Sequence, residues 1–175
     1  RSPSRGLGDV YKRQIKISSI NQHNGYKKKY SKEKIFLEKK FQLLGIKNYM
    51  VSIARCYTFI GKDIVNYNYA ISDLINSAFA KTSVKLDTKI NVYRSYMHSD
   101  DLSKWLIKIL KNSTKKCPIY NVGSDEVINL RALTKKIAYS VNKKPILKKI
   151  SSKKIDYYVP SLSLIHISEP TRRTP

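Results

Sequence analysis

The sequence predicts an α/β protein, and three observations lead there. Short runs rich in isoleucine, valine and tyrosine alternate with longer stretches whose apolar residues return every three or four positions, the signatures of strand and helix. Glycine-containing or polar turns separate them. The 175 residues are 41% hydrophobic, enough to bury one core, as a single domain or most of one does.

Taken in order, Ile15 to Ile20 reads as a short strand ending in serines, and Asn21 to Gly25 as a polar turn. Tyr30 to Leu44 reads as a helix with Phe36, Leu37, Lys40 and Phe41 on its buried side, stopped at Gly45 because glycine tolerates the left-handed C-cap conformation. Tyr49 to Ala54 is nearly continuously apolar, which suits a buried parallel strand. Between Tyr69 and Lys81 the residues Ala70, Ile71, Leu74, Ile75, Ala78 and Phe79 keep the helical period without a break. Strands are expected at Val84 to Leu86 and Val92 to His98. Ser99-Asp100-Asp101 then caps a helix, Leu102 to Asn112, that buries Leu102, Trp105, Leu106, Ile109 and Leu110. Ile119 to Val122 reads as a strand, and Leu130, Leu133, Ile137 and Val141 mark a last helix with Asn129 as its N-cap.

Composition excludes several functions. A net charge of +23 resembles the footprint of a nucleic-acid binder, but 27 of the 35 basic residues are lysines scattered along the chain, whereas arginine dominates bidentate phosphate readers. A solvated, Lys-rich exterior is the expectation, without nucleic acid as partner. No run approaches the ~18 apolar residues of a membrane span, and the N-terminus lacks the order of a secretory signal. These point to a cytoplasmic protein without a membrane partner. Cys56 and Cys117 are too few for a disulfide framework, and no Cys/His spacing suits zinc, so both read as packing thiols.

Both ends differ in composition from the rest. Residues 1–14 and 161–175 hold five of the eight arginines and resemble translated sequencing-adapter sequence, so they are set apart from fold reasoning as non-native tails. With them goes Gly6-Leu7-Gly8, which has no third glycine and no preceding strand and is not a dinucleotide-binding turn.

Tyr30 and Lys34 are four apart on a predicted helix, which puts them on one face. A phenol titrates near ~10, and a neighbouring ammonium favours its ionised form. Such a tyrosine can take a proton from a sugar hydroxyl while hydride leaves the same carbon for a nicotinamide. Ser19, or Ser18 beside it, can donate a hydrogen bond to the developing oxyanion. The pair alone is no signal, since 13 tyrosines in so Lys-rich a chain supply a second match, Tyr139/Lys143, by chance. Only Tyr30/Lys34 follows a Ser-ended strand and opens a helix.

Landmarks that follow one another in a single order add specificity. Ile17-Ser18-Ser19, then Tyr30, Lys34 and Glu38, then Ile53-Ala54-Arg55-Cys56-Tyr57-Thr58-Phe59-Ile60-Gly61, resemble the catalytic region of the extended short-chain dehydrogenase family. Arg94-Ser95-Tyr96-Met97-His98-Ser99-Asp100-Asp101-Leu102 is similar to its Arg-Ser or Arg-Asp turn before an Asp-Leu helix start. Tyr120-Asn121-Val122-Gly123-Ser124 is similar to its Asn-Val-Gly strand end, and Asp156-Tyr157-Tyr158-Val159-Pro160 to its approach to the C-terminal segment.

That resemblance implies the C-terminal part of a Rossmann-like, doubly wound parallel sheet plus a smaller substrate-binding α/β region. Residues 15–66 would be the remainder of an NAD-binding domain with its catalytic helix, and 67–160 mainly the substrate-binding region. It implies an NAD-dependent epimerase or dehydratase acting on a nucleoside-diphosphate sugar, in a cytoplasmic, homodimeric parent enzyme from which the glycine-rich half is missing here, so that the fragment itself is expected to be inactive. Tyr30 resembles the general base, Lys34 its pKa-lowering and ribose-binding partner, and Ser19 the hydroxyl donor. Tyr57 resembles the residue whose backbone faces the nicotinamide, Thr58 one that meets the substrate, and Arg94 the side chain that grips the diphosphate, a role suited to a guanidinium fork. Asp101 reads as a helix cap, His98 as structural and Trp105 as core. The chain departs from the family in having nothing acidic between Ser19 and Tyr30, where dehydratases carry acidic partners, and Glu33 where a small hydroxyl residue is usual. The short loop favours oxidation and reduction at C4 or a neighbouring carbon over dehydration. The alternatives are an NADP-dependent reductase of a non-nucleotide substrate and a basic nucleic-acid-binding module.

Overall fold

A computed structural model describes residues 13–18, 29–62, 69–80 and 82–160, with the side chains of 13–18 and 29–31 left out. The expected turn at Asn21 to Gly25, Ser19, Lys81 and most of the two compositionally distinct ends lie outside these residues. In chain order the elements are β1 (Arg13–Ser18), α1 (Lys29–Ile46), β2 (Met50–Cys56), β3 (Phe59–Ile60), α2 (Ala70–Ala80), β4 (Ser83–Leu86), β5 (Asn91–Arg94) and β6 (Met97–His98). They continue with α3 (Ser99–Lys111), β7 (Ile119–Val122), β8 (Ile128–Asn129), α4 (Leu130–Ser140), β9 (Lys144–Leu147) and β10 (Ile155–Tyr158). The class is α/β. The described residues fall into two compact units whose sequences interleave: one draws on residues before Thr58 and on Asp100–Gly123, the other on Thr58–Ser99 and Ser124–Pro160. Thus α3 and β7, which lie inside the span 67–160, build on the first unit.

The first unit is organised by a three-stranded parallel sheet in the order β1-β2-β7. Its middle strand is buried nearly end to end, as a parallel strand covered on both faces must be. Val51 and Ile53 are fully buried and form a cluster with Cys117, against which Phe41 and Leu44 of α1 and Ile119 of β7 pack. On β2, Ser52 is buried as well, and its hydroxyl is satisfied by Ser113 at 2.8 Å and by the carbonyl of Ile109 at 3.3 Å, which ties the strand to the end of α3. Burial pushes the Cys56 thiol up to about 11, so it is a packing group, inert as a nucleophile at neutral pH. β1 begins at Arg13 and pairs Arg13 and Gln14 with Met50 and Val51, two residues inside the segment set apart by composition.

Helix α1 corrects two expectations. Phe36 and Leu37 are exposed, and the inward stripe is half-buried Lys34, buried Glu38, half-buried Phe41 and buried Gly45, at steps of four, three and four. Gly45 does not end the helix in a left-handed conformation: α1 runs to Ile46, no described glycine has a positive φ, and Asn48 is the left-handed residue, with φ 68°. Glycine is required at 45 for closeness, because a Cβ there would collide with the backbone carbonyl oxygen of Lys115. Gly45→Ala is therefore expected to lower stability by about 1–3 kcal/mol, the cost of overpacking against backbone. Urea unfolding checks it, and an unchanged midpoint would refute the close approach.

In the second unit α2 and α4 cover strands β4, β5 and β9, and the core joins Leu74, Ala78, Val84, Leu86, Val92, Leu130 and Ala138. The amphipathic reading of α2 holds for Ile71, Leu74 and Ala78, while Phe79 points out. Asn129 caps α4 as expected, its Oδ1 accepting from the Arg131 N–H at 2.9 Å. The expected strand from Val92 to His98 is broken at Ser95-Tyr96 into β5 and β6, and Ser99 is the first residue of α3 instead of its cap. β5 lies between β10, parallel, and β8, antiparallel, while β4 pairs with β9 and β3 with β6. No described helix is long and apolar enough to cross a membrane.

Candidate functional site

In open α/β sheets ligands bind beyond the carboxyl ends of parallel strands, where loops are free of the ladder. In the first unit those ends are in register, with Ser18 beside Arg55 and Cys56 beside Val122. Glu38 and Arg55 hold α1 to this end of the sheet through a two-pronged ion pair, Nε to Oε1 at 3.1 Å and Nη2 to Oε2 at 2.8 Å. Glu38 is buried and Arg55 mostly so. Lys34 lies one helical turn before Glu38, half-buried, and Tyr30 lies one turn before Lys34, its side chain outside what is described. Ser19, the candidate hydroxyl donor, also lies outside the described residues. Tyr57 follows β2; its N–H donates to the carbonyl of Val122 at 2.8 Å, and burial raises its phenol, which the Arg55 charge lowers in turn. A phenol so buried is poorly placed to serve as a base.

Arg94, at the end of β5 in the second unit, is not a bare surface arginine. Its Nη1 donates to the carbonyls of Tyr93 at 2.8 Å and Asp156 at 3.3 Å, and its Nη2 to Oδ2 of Asp156 at 2.7 Å. The Tyr158 ring centre is 5.9 Å from the guanidinium carbon. Burial raises the phenol of Tyr96, and the charge of Arg94 lowers it in turn. Ser95, between the two, is fully buried. Thr58 is half-buried, and its carbonyl accepts from the Met97 N–H at 3.2 Å.

The predicted residues thus fall in two groups: Tyr30, Lys34 and Tyr57 in the first unit, Thr58 and Arg94 in the second. Sequence reasoning missed Asp156 and Tyr158 as neighbours of Arg94. Asp156 is 62 positions away, and the only early signal was the Asp-Tyr-Tyr-Val-Pro landmark. Trp105 is core, as expected. His98 is exposed. Asp101 sits in the first turn of α3 and pairs with Lys104 at 3.3 Å.

No protein-family model matches the sequence, and no curated protein matches it either. Solved structures do. The chain is similar to UDP-N-acetylglucosamine 4-epimerase from Bacillus cereus, with a TM-score of 0.64 at 17% identity over 80% of this chain and 53% of that one. It is similar to the Bordetella bronchiseptica enzyme WbmF, in complex with NAD+ and UDP, with a TM-score of 0.65 at 16% identity over 80% and 47%. A third is dTDP-glucose 4,6-dehydratase from Bacillus anthracis in complex with NAD, with a TM-score of 0.63 at 15% identity over 86% and 54%. The chain spans about half the length of these structures. Over that part its fold is the Rossmann-like α/β fold of these three structures.

Proposed function

We propose that this chain belongs to an NAD-dependent oxidoreductase of the extended short-chain dehydrogenase family that epimerises or otherwise remodels a nucleoside-diphosphate sugar, with Tyr30 as general base. The observation that carries the reading is α1 itself. Positions 30, 34 and 38 follow one another by single helical turns, and Glu38 is fixed by two hydrogen bonds to the strand whose end leads to Tyr57. The likeness to a UDP-N-acetylglucosamine 4-epimerase, and to WbmF and a dTDP-glucose 4,6-dehydratase that were solved with NAD, supports the same reading.

The residues present fit a dinucleotide on chemical grounds. Three parallel strands end together, and a half-buried lysine stands one turn from a tyrosine beside them. Bound there, a nicotinamide would supply a reversible hydride acceptor. Tyr30 would take the hydroxyl proton of the carbon being oxidised, and Lys34 would hold its phenol ionised and bind ribose hydroxyls. Ser19 would donate to the oxygen that becomes a carbonyl. Tyr57 and Thr58 would line cofactor and sugar, and Arg94 would meet the diphosphate. The short approach from Ser19 to Tyr30, which has no acidic residue, favours redox chemistry at the sugar over dehydration.

Arg94 tests the substrate class. A charge-assisted hydrogen bond is worth about 1.5–3 kcal/mol, roughly ten- to a hundredfold in affinity. Arg94→Ala is expected to weaken UDP binding by that factor in calorimetric titration while leaving uridine unaffected. Unchanged UDP affinity would sink the nucleotide-sugar assignment.

A further inference from the structure

Resting on that assignment of Arg94, we infer that Asp156 is a built-in counterion that occupies the anion-binding arginine until a phosphorylated ligand takes its place, and so sets how firmly an anion must be held elsewhere to be retained. The geometry separates two jobs that an arginine partner can do. Orientation is done by backbone: Nη1 is fixed by the carbonyls of Tyr93 and Asp156, groups supplied by two paired parallel strands whatever side chain stands at 156. The carboxylate is therefore not needed to aim the guanidinium. What it adds is charge, through a single oxygen, Oδ2, on Nη2 at 2.7 Å. A fork that can hold a phosphate by two donors is held by a carboxylate through one.

Burial makes this exchange possible. The Arg94 side chain is 22% exposed and that of Asp156 37%, so an incoming anion can reach both, and the carboxylate can turn away into water at little cost. The Tyr158 ring and the desolvated Tyr96 keep part of the surroundings apolar, so the carboxylate charge is felt by any anion that approaches. The exterior is strongly cationic, with 35 basic against 12 acidic residues. Such a surface draws small anions without discrimination. A counterion already seated on Arg94 weakens every anion by the same factor. Ligands held elsewhere by a base and a sugar can bear that loss, whereas inorganic phosphate cannot.

Calorimetric titration of the protein carrying this chain with UDP, inorganic phosphate and uridine tests the idea. Asp156→Asn keeps the shape and removes the charge. It is expected to raise affinity for UDP and phosphate alike by about three- to tenfold at low salt, an effect that shrinks at high salt, with uridine unchanged. Asp156→Ser should do the same if the asparagine variant folds poorly by thermal melt. Asp87→Asn removes an exposed carboxylate paired with Lys85 at 3.7 Å and should leave UDP affinity alone, and in an Arg94→Ala background Asp156→Asn should give no gain. A UDP affinity that depends on Arg94 but is unchanged or lowered by Asp156→Asn would overturn the counterion role. UDP binding indifferent to Arg94, or absent from both wild type and Asp156→Asn, would instead overturn the nucleotide-sugar reading beneath it.

Discussion

Tyr30→Phe is expected to abolish turnover on nucleotide sugars, by at least about 10²-fold, while NAD remains bound. The change removes one oxygen and leaves the ring, so α1 and its attachments stay as they are. What disappears is the proposed general base, and general base catalysis is worth typically 10²–10⁴-fold. Lys34 keeps its place on the helix, so the cofactor contacts proposed for its ammonium would survive. Single-turnover hydride transfer, followed by nicotinamide absorbance in the protein carrying this chain, separates the two effects. A variant that reduces bound NAD at a near-normal rate would end the assignment of Tyr30.

The largest effect on stability is expected at Arg55. Glu38 is only 4% exposed, and both its carboxylate oxygens are engaged by Arg55. Arg55→Met leaves a buried carboxylate without its counterion, which costs about 3–5 kcal/mol. The double substitution Glu38→Met with Arg55→Met removes both charges and should recover most of that loss, because well-packed apolar residues of similar volume replace a buried pair nearly neutrally. Urea unfolding of the two variants decides it. Equal destabilisation by single and double substitutions would show that packing, not the unpaired charge, is what the pair provides.

That ion pair also explains where the sequence misleads. Helices α2, α3 and α4 announce themselves because each buries an apolar stripe at the helical period, and β2 because it is nearly continuously apolar up to Arg55. In α1 the inward face is set by a carboxylate whose partner is 17 positions away, while the aromatic and aliphatic residues next to it, Phe36 and Leu37, face outward. Hydrophobic periodicity has no means of seeing a buried charge paired across the fold. Gly45 misleads in a related way: a glycine near a helix end reads as a cap, and its true reason is a neighbouring carbonyl, that of Lys115, which only the fold brings close. The strands β3, β8, β9 and β10 have two to four residues each, too short for alternation to register. The candidate chemistry was legible as ordered landmarks, and Arg94 was named among them, but its embrace by Asp156 depends on the pairing of β10 with β5.

The interleaving of the two units along the chain governs how they can form. Cys56 finds Val122, Ser83 finds Lys144 and Asn91 finds Ile155 across separations of roughly sixty residues. Each pairing must close a long loop before it gains anything, so these sheets are intrinsically slow to assemble. On the ribosome, a nascent chain that has reached Ser99 has neither unit complete, since the first still lacks β7 and the second still lacks β8, α4, β9 and β10. The edge of β2 that receives β7 and the side of α2 that receives α4 then wait uncovered, and exposed strand edges and apolar surface of this kind are what make a partly folded chain prone to aggregate.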